Sequence, residues 1–283
     1  MARTHAIRIG QLTTGVPLVL SSILADMLWA DGHSVEITCD TPERMFAALG
    51  AGRIDILCAA LLPHAHAHLF SAVAAGTTQI SAPYDGVCTA WVVPAKMETL
   101  SRIDDLAGDR TASRTIRYVA DAPLLAAQSV AALQRYELEA AGFELSGVSQ
   151  DDWIEAVFDA LRHKRRSVFA LLQPHWTMAA LELRALQDSR SVFATPDRAV
   201  LLAHRNLRQI IKPQSLRQLA AMQLTAQDIT EMERMINMDA MTTEEVAELW
   251  FARNQKRVLR WGGPRDAPTD ILSRKNGKDR PKS

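Results

Sequence analysis

The chain has 283 residues, with 32 Lys+Arg balanced against 32 Asp+Glu, 48% hydrophobic and 23% charged. That is enough chain for two lobes with a core in each. The zero formal net charge argues against partners recognised by bulk electrostatics, such as nucleic acid or an anionic membrane surface. No apolar run approaches the length of a membrane span, so no direct membrane insertion is expected.

The N-terminal residues MARTHAIRIG run from Met1 into a strand at 6–9, with no basic stretch leading into an apolar one. The expected location is therefore cytoplasmic as written, or periplasmic or extracellular if a signal was removed or the start is misassigned. Residues 17–30 (PLVLSSILADMLWA) carry apolar side chains at helical spacing, with Pro17 in the first turn and Gly32 past the end. Strands are expected at 35–39 and 54–62, with a helix at 41–49 closed by Gly50 and Gly52. This strand-helix alternation is the signature of a parallel sheet with right-handed crossovers.

Residues 87–93 (VCTAWVV) form an apolar strand suited to passing between lobes, and Tyr84-Asp85-Gly86 before it reads as a turn or hinge. A second alternation follows: strand 115–119, helix 124–138, a strand or loop at 143–148, helix 151–163, strand 168–172 and a helix at 178–186. Residues 192–202 are extended and return to the first lobe. Helices at 214–222, 226–238 and 243–258 complete the chain. The tail, 263–283, is basic with few apolar residues and is expected to be disordered. Cys39, Cys58 and Cys88 lack CxxC spacing and read as buried small hydrophobes.

Two stretches share a design. Ala60-Leu61-Leu62-Pro63-His64 can be laid over Ala170-Leu171-Leu172-Gln173-Pro174-His175, each an apolar strand ending in proline and histidine. Strand ends that open into polar loops are where α/β sheets place ligands, so the two loops are expected to face each other across one cleft. His64, His66 and His68 alternate and in an extended loop would project to one side, the spacing of a metal site. No carboxylate lies close by in sequence, and no metal or other cofactor is expected. Thr13, Thr14 and Gly15 precede the first long helix, where hydroxyls and backbone N–H groups suit an anion.

In this order the pieces resemble the substrate-binding proteins of glycine betaine/proline-betaine ABC transporters over residues 6–261. The resemblance rests on Gly52-x-Ile54-Asp55-Ile56 followed by Leu62-Pro63-x-x-His66, the Val93-Pro94 crossing with Ile103-x-Asp105-Leu106, Gln173-Pro174-His175-Trp176, the piece from Leu183 to Asp188, and Glu244-x-Val246-Ala247-x-x-Trp250. It implies an α/β, two-lobed, type II periplasmic-binding-protein-like fold, each lobe a mixed, mostly parallel sheet flanked by helices. Lobe 1 would be 1–88 plus 190–262, and lobe 2 would be 89–189. The implied partners are a small-molecule ligand and an ABC transporter permease.

Members of the family hold a quaternary ammonium in a tryptophan cage, because a trimethylammonium has no N–H and aromatic faces offset its desolvation by about 2 kcal/mol or more each when dry. This chain departs from that pattern. Leu61 and Leu172 stand where cage tryptophans are common, and Asp121-Ala122-Pro123 replaces a glycine-rich turn. The resemblance thus implies a ligand site at Thr13, Thr14, Gly15, Leu61, His64, His66, Tyr84, Asp121, Leu172 and His175, with altered specificity and no enzymatic role. Two alternatives remain open from the residues: a cytoplasmic ligand sensor on the same fold, and a metal-dependent enzyme using His64, His66 and His68. The chain has no G-x-S-x-G, H-E-x-x-H or P-loop pattern to support the enzyme.

Overall fold

A computed structural model describes residues 6–12, 17–193 and 195–262. The first alternation folds as β1 (Ile7–Leu12), α1 (Pro17–Ala30), β2 (Val35–Asp40), α2 (Pro42–Gly50) and β3 (Ile56–Leu62), with β1 between β2 and β3 and parallel to both. Asp55 fixes this register. Its buried carboxylate accepts from the Arg8 backbone N–H at 2.8 Å and from the Arg8 guanidinium at 2.7 and 2.9 Å, so the pair is hydrogen-bonded as well as charged. The β2 strand lies at the sheet edge, which leaves Cys39 exposed rather than buried as expected. Cys58 is buried and Cys88 is half-buried.

After β3 the chain turns at Pro63 and enters α3 (Ala67–Val73), then a short 3-10 turn (Ala74–Gly76). The three alternating histidines therefore do not lie along an extended loop: His66 stands at the position before α3 and His68 lies within it. The crossing strand β4 (Thr77–Pro94) is longer than expected, and Tyr84-Asp85-Gly86 sits inside it instead of forming a turn. Its register shifts between Asp85 and Val87, where Gly86 takes φ +96, a backbone state that glycine adopts without steric cost.

The second alternation comprises α4 (Asp105–Gly108), β5 (Thr115–Val119), α5 (Pro123–Arg135), β6 (Glu144–Val148), α6 (Gln150–Arg162) and β7 (Val168–Gln173). It continues through α7 (Trp176–Ala180), β8 (Leu183–Ala185) and β9 (Asp197–His204). Residues 178–186 are not one helix. The helix stops at Ala180, and Leu183 to Ala185 pair with β4; tertiary pairing overrides the helix propensity of this Leu/Ala/Glu-rich stretch. The chain then runs through α8 (Leu207–Ile210), α9 (Pro213–Ala221), α10 (Ala226–Met238) and α11 (Thr243–Arg260). Capping boxes start both long helices, Thr225 with Asp228 and Thr242 with Glu245.

The strand order is β2-β1-β3-β9-β4-β7-β5-β6, with β8 also on β4. The half before β4 and the half after it are each sandwiched between helices. In the first half, Leu20, Ile23, Leu24 and Leu28 of α1 pack with Met232 and Trp250 on one face, and Phe46 and Leu49 of α2 cover the other. In the second half, Trp91 packs with α5 residues such as Leu125 and Leu133, and Trp153 packs with Phe169 and Trp176 on the opposite face. β4 and β9 are antiparallel neighbours, and β4 belongs to both halves: Thr77 to Val87 pair with β9, and Cys88 to Val92 pair with β7.

Candidate ligand-binding site

Each half presents strand ends to the space between them. In the second half β5 and β7 are parallel neighbours, so the turn at Asp121 and the loop at Pro174-His175 leave the same sheet edge. A pocket of about 510 Å³ lies here. β4 supplies Tyr84 and Gly86, the end of β7 supplies Gln173, Pro174 and His175, α7 supplies Met178 and Ala179, and α10 supplies Ala226 and Thr230. Its volume is in the range of about 300–1,000 Å³ usual for small-molecule sites. The pocket lies where α10, whose apolar face packs in the core of the first half, also meets α7 of the second.

His175 is the best defined of its side chains. It caps α7, its Nδ1 lies 2.7 Å from the Thr177 hydroxyl, and its ring meets the edge of Trp153 at 5.4 Å and stacks beside Trp176 at 6.0 Å. Burial pushes its pKa down to about 4, so the imidazole is neutral at pH 7. Trp153 and Trp176 are themselves core residues, and the Trp153 indole N–H donates to the Arg117 carbonyl. The pocket wall therefore shows one phenol ring and one imidazole instead of three tryptophan faces. Tyr84 is almost fully buried, and that burial, with Cys88, Asp85 and Glu233 nearby, pushes its pKa up to about 12. The Gln173 amide is engaged on both sides, accepting from the Cys88 thiol and donating to the Met178 sulfur.

The loop after β3 is built differently. Asp197, at the start of β9 and fully buried, accepts from the His64 N–H at 2.7 Å with one oxygen and from the Ala65 N–H at 2.9 Å with the other. His66 turns back on its own strand: its Nδ1 accepts from the Leu61 N–H at 2.9 Å, and its ring meets Phe46 at 5.6 Å. Burial pushes its pKa down to about 4. His64 and His68 are exposed. Among the described residues, no three His, Cys, Asp or Glu side chains are grouped to hold a metal ion, so the three histidines do not assemble as the metal-enzyme alternative requires.

The structure thus brings Tyr84 and His175 together in the pocket wall. Leu61, His64, His66, Asp121 and Leu172 are not in its lining. Leu61 packs against the first-half core, and Leu172 is wedged between the cores of both halves. Asp121 is exposed in the turn before α5. Thr13, Thr14 and Gly15 lie outside the described residues, as does the basic tail at 263–283. Sequence reasoning missed Asp197, Met178, Ala226 and Thr230. The spacing of Ala226 and Thr230 put them on one helical face, but nothing in the sequence said that this face meets α7.

Both paired stretches end in a cis X-Pro bond, Leu62-Pro63 and Gln173-Pro174. Among the described residues, no helix is long and apolar enough to cross a membrane.

Comparisons with known proteins agree on one group. Residues 5–253 match the family described as the substrate-binding domain of ABC-type glycine betaine transport systems. Among solved structures, lactococcal OpuAC, closed on glycine betaine, superposes with a TM-score of 0.78 at 21% identity, covering 90% of this chain and 98% of that one. The glycine betaine/L-proline-binding protein ProX from Borrelia burgdorferi gives a TM-score of 0.76 at 18% identity, covering 92% and 97%. An ABC-transporter choline-binding protein in complex with choline gives 0.71 at 16%, covering 90% and 91%. No curated protein matches the sequence. The fold is accordingly the two-lobed type II periplasmic-binding-protein fold, and the chain belongs to the family of substrate-binding domains of ABC-type glycine betaine transport systems.

Proposed function

We propose that this protein captures a small polar or zwitterionic solute of the betaine or amine kind between its lobes and delivers it to an ABC transporter permease. On this reading lobe 1 is 1–88 plus 190–262, lobe 2 is 89–189, and β4 with the return into β9 joins them. The observation that carries the reading is the pocket at the β7 strand end, walled by residues from both sides of the β4 crossing. Tyr84 and His175 contact the ligand. Thr13, Thr14, Gly15 and Asp121 would add polar contacts to the same ligand, while Leu61, His64, His66 and Leu172 would reach it only if the lobes close further, since none lines the pocket.

The specificity differs from that of a tryptophan-caged betaine site. A leucine contributes dispersion but no ring quadrupole, and Leu61 and Leu172 face the cores. The family's task is capture without turnover, so saturable binding is expected with no chemical change in the ligand. A thermal-shift panel of betaines, quaternary and simple amines, amino acids and sulfur analogues tests this. At least one member should raise the melting temperature in a concentration-dependent way; no shift with any of them would contradict the reading.

A further inference from the structure

Glu233 is a carboxylate that the fold uses only in part. It lies on α10 at the i+7 position from Ala226 and the i+3 position from Thr230, on the helical face that lines the pocket. One oxygen, Oε2, accepts from the Trp176 backbone N–H at 3.3 Å; Oε1 has no hydrogen-bond partner among the described residues. Trp176 directly follows the pocket residue His175, so the carboxylate stands at the junction of α10 and α7, next to the pocket's lining residues although not itself one of them. Tyr84, on the β4 side of the wall, senses its charge.

We propose that Glu233 is the counter-ion of the pocket, receiving the ammonium end of a cationic quaternary amine, so that the protein selects cations of the choline type over zwitterionic betaines. This rests on the reading of the pocket as a solute site. The groups around Glu233 leave the role of cation to the ligand. From β4, Tyr84 and Cys88 have their pKa values pushed up and are neutral, and Asp85 brings a further carboxyl group rather than a cation. From the cap of α7, His175 is neutral. On α10 itself, Asp228 is engaged by Arg257 and Glu231 by Arg234. Among the described residues no cation pairs with Glu233, and burial alone raises its pKa to about 7.

A zwitterion fares worse in such a pocket. Among the described residues no Lys or Arg lines the pocket to pair with its carboxylate, and the Gln173 amide already donates one N–H to Met178. The carboxylate would also meet the like charge of Glu233. A bound quaternary ammonium, in contrast, lowers the Glu233 pKa and is bound more tightly as the pH rises through 7.

Calorimetric titration of the full chain with choline and with glycine betaine at pH 8 tests this, alongside Glu233→Gln and the charge-conserving Glu233→Asp. The wild type should prefer choline by about tenfold or more, and Glu233→Gln should lose about tenfold or more of choline affinity while betaine affinity holds or rises. Glu233→Asp should keep part of the choline preference. In the wild type, choline should bind more tightly at pH 8 than at pH 6, and that dependence should vanish in Glu233→Gln. A melting temperature for Glu233→Gln no lower than that of the wild type at pH 8 establishes that the variant is folded. Unchanged choline affinity in a folded Glu233→Gln variant, or a wild-type preference for betaine, overturns the counter-ion role and leaves the solute-binding reading standing. A wild type that binds neither choline nor betaine, yet binds another solute of the panel, also overturns the counter-ion role alone. No binding to any panel member removes both.

Discussion

The loop after β3 and the loop after β7 begin from nearly the same residues and end in different states. Both follow a buried strand, both turn at a cis proline, and both place a histidine just beyond. The first is locked onto the protein: Asp197 accepts its two amide N–H groups, and His66 is bonded back to the Leu61 amide. In the second, His175 is held by Thr177 and flanked by Trp153 and Trp176, and the ring edge remains in the wall of an open pocket. The difference lies in what covers each loop. A buried carboxylate closes the first, while α10 meets the second at α7 and leaves a cavity beside it. Local sequence set the turn, and the distant partner set its use.

The largest expected effect comes from breaking the lock. Asp197→Ala removes the charged acceptor of the His64 and Ala65 amide N–H groups, which should cost about 2–4 kcal/mol in denaturant unfolding. Replacement by Asn, which keeps one acceptor, should cost distinctly less. If Asp197→Ala unfolds like the wild type, the first loop is not held as described.

The pH dependence comes next. His66 and His175 have folded pKa values of about 4 against an ordinary 6.5, so their contribution to stability is complete above pH 6.5 and is lost as the pH falls through 4. Glu233 is raised from 4.5 to about 7, so its contribution is complete below pH 4.5 and is lost as the pH rises through 7. Two histidines outweigh one glutamate on the acid side, and the melting temperature should fall by on the order of 5 °C between pH 6.5 and 4. In Glu233→Gln, the smaller decline between pH 6 and 8 should disappear. A melting temperature flat from pH 4 to 8 would contradict the burial of these groups.

A smaller effect follows from replacing Leu172 with tryptophan in imitation of the caged relatives. Leu172 sits between two cores, so the larger ring should overpack them at a cost of about 1–3 kcal/mol, with no gain in ligand affinity. A tightened betaine site in Leu172→Trp would show that this position does face the ligand.

Much of the fold was legible because the motifs that signalled it are polar clamps. Asp55 holds Arg8, Asp105 accepts the Ser101 and Arg102 amides, Asp188 accepts from Phe193 and Tyr136, and Trp250 donates to Asp228. Such residues sit at fixed distances from glycines and apolar strands, so their order carries the topology. The alternating strands and helices were read for the same reason, since each buries a periodic face. The pocket was less legible. Tyr84 and His175 were visible as strand-end residues, but Ala226 and Thr230 come from a helix more than fifty residues beyond His175, and their spacing does not reveal the partner face. Residues 178–186 and the histidine loop were misread because pairing with β4 and the early start of α3 at Ala67 overrode local pattern.

The contrast between the two loops is tested most directly by titrating choline and glycine betaine into wild type, His175→Ala and His66→Ala. The wild type should bind at least one of them at a single site. His175→Ala should lose about tenfold or more of that affinity, while His66→Ala should lose stability, about 1–3 kcal/mol, and keep its affinity within about twofold. If His66→Ala abolishes binding and His175→Ala leaves it intact, the ligand belongs at the other loop and the account fails.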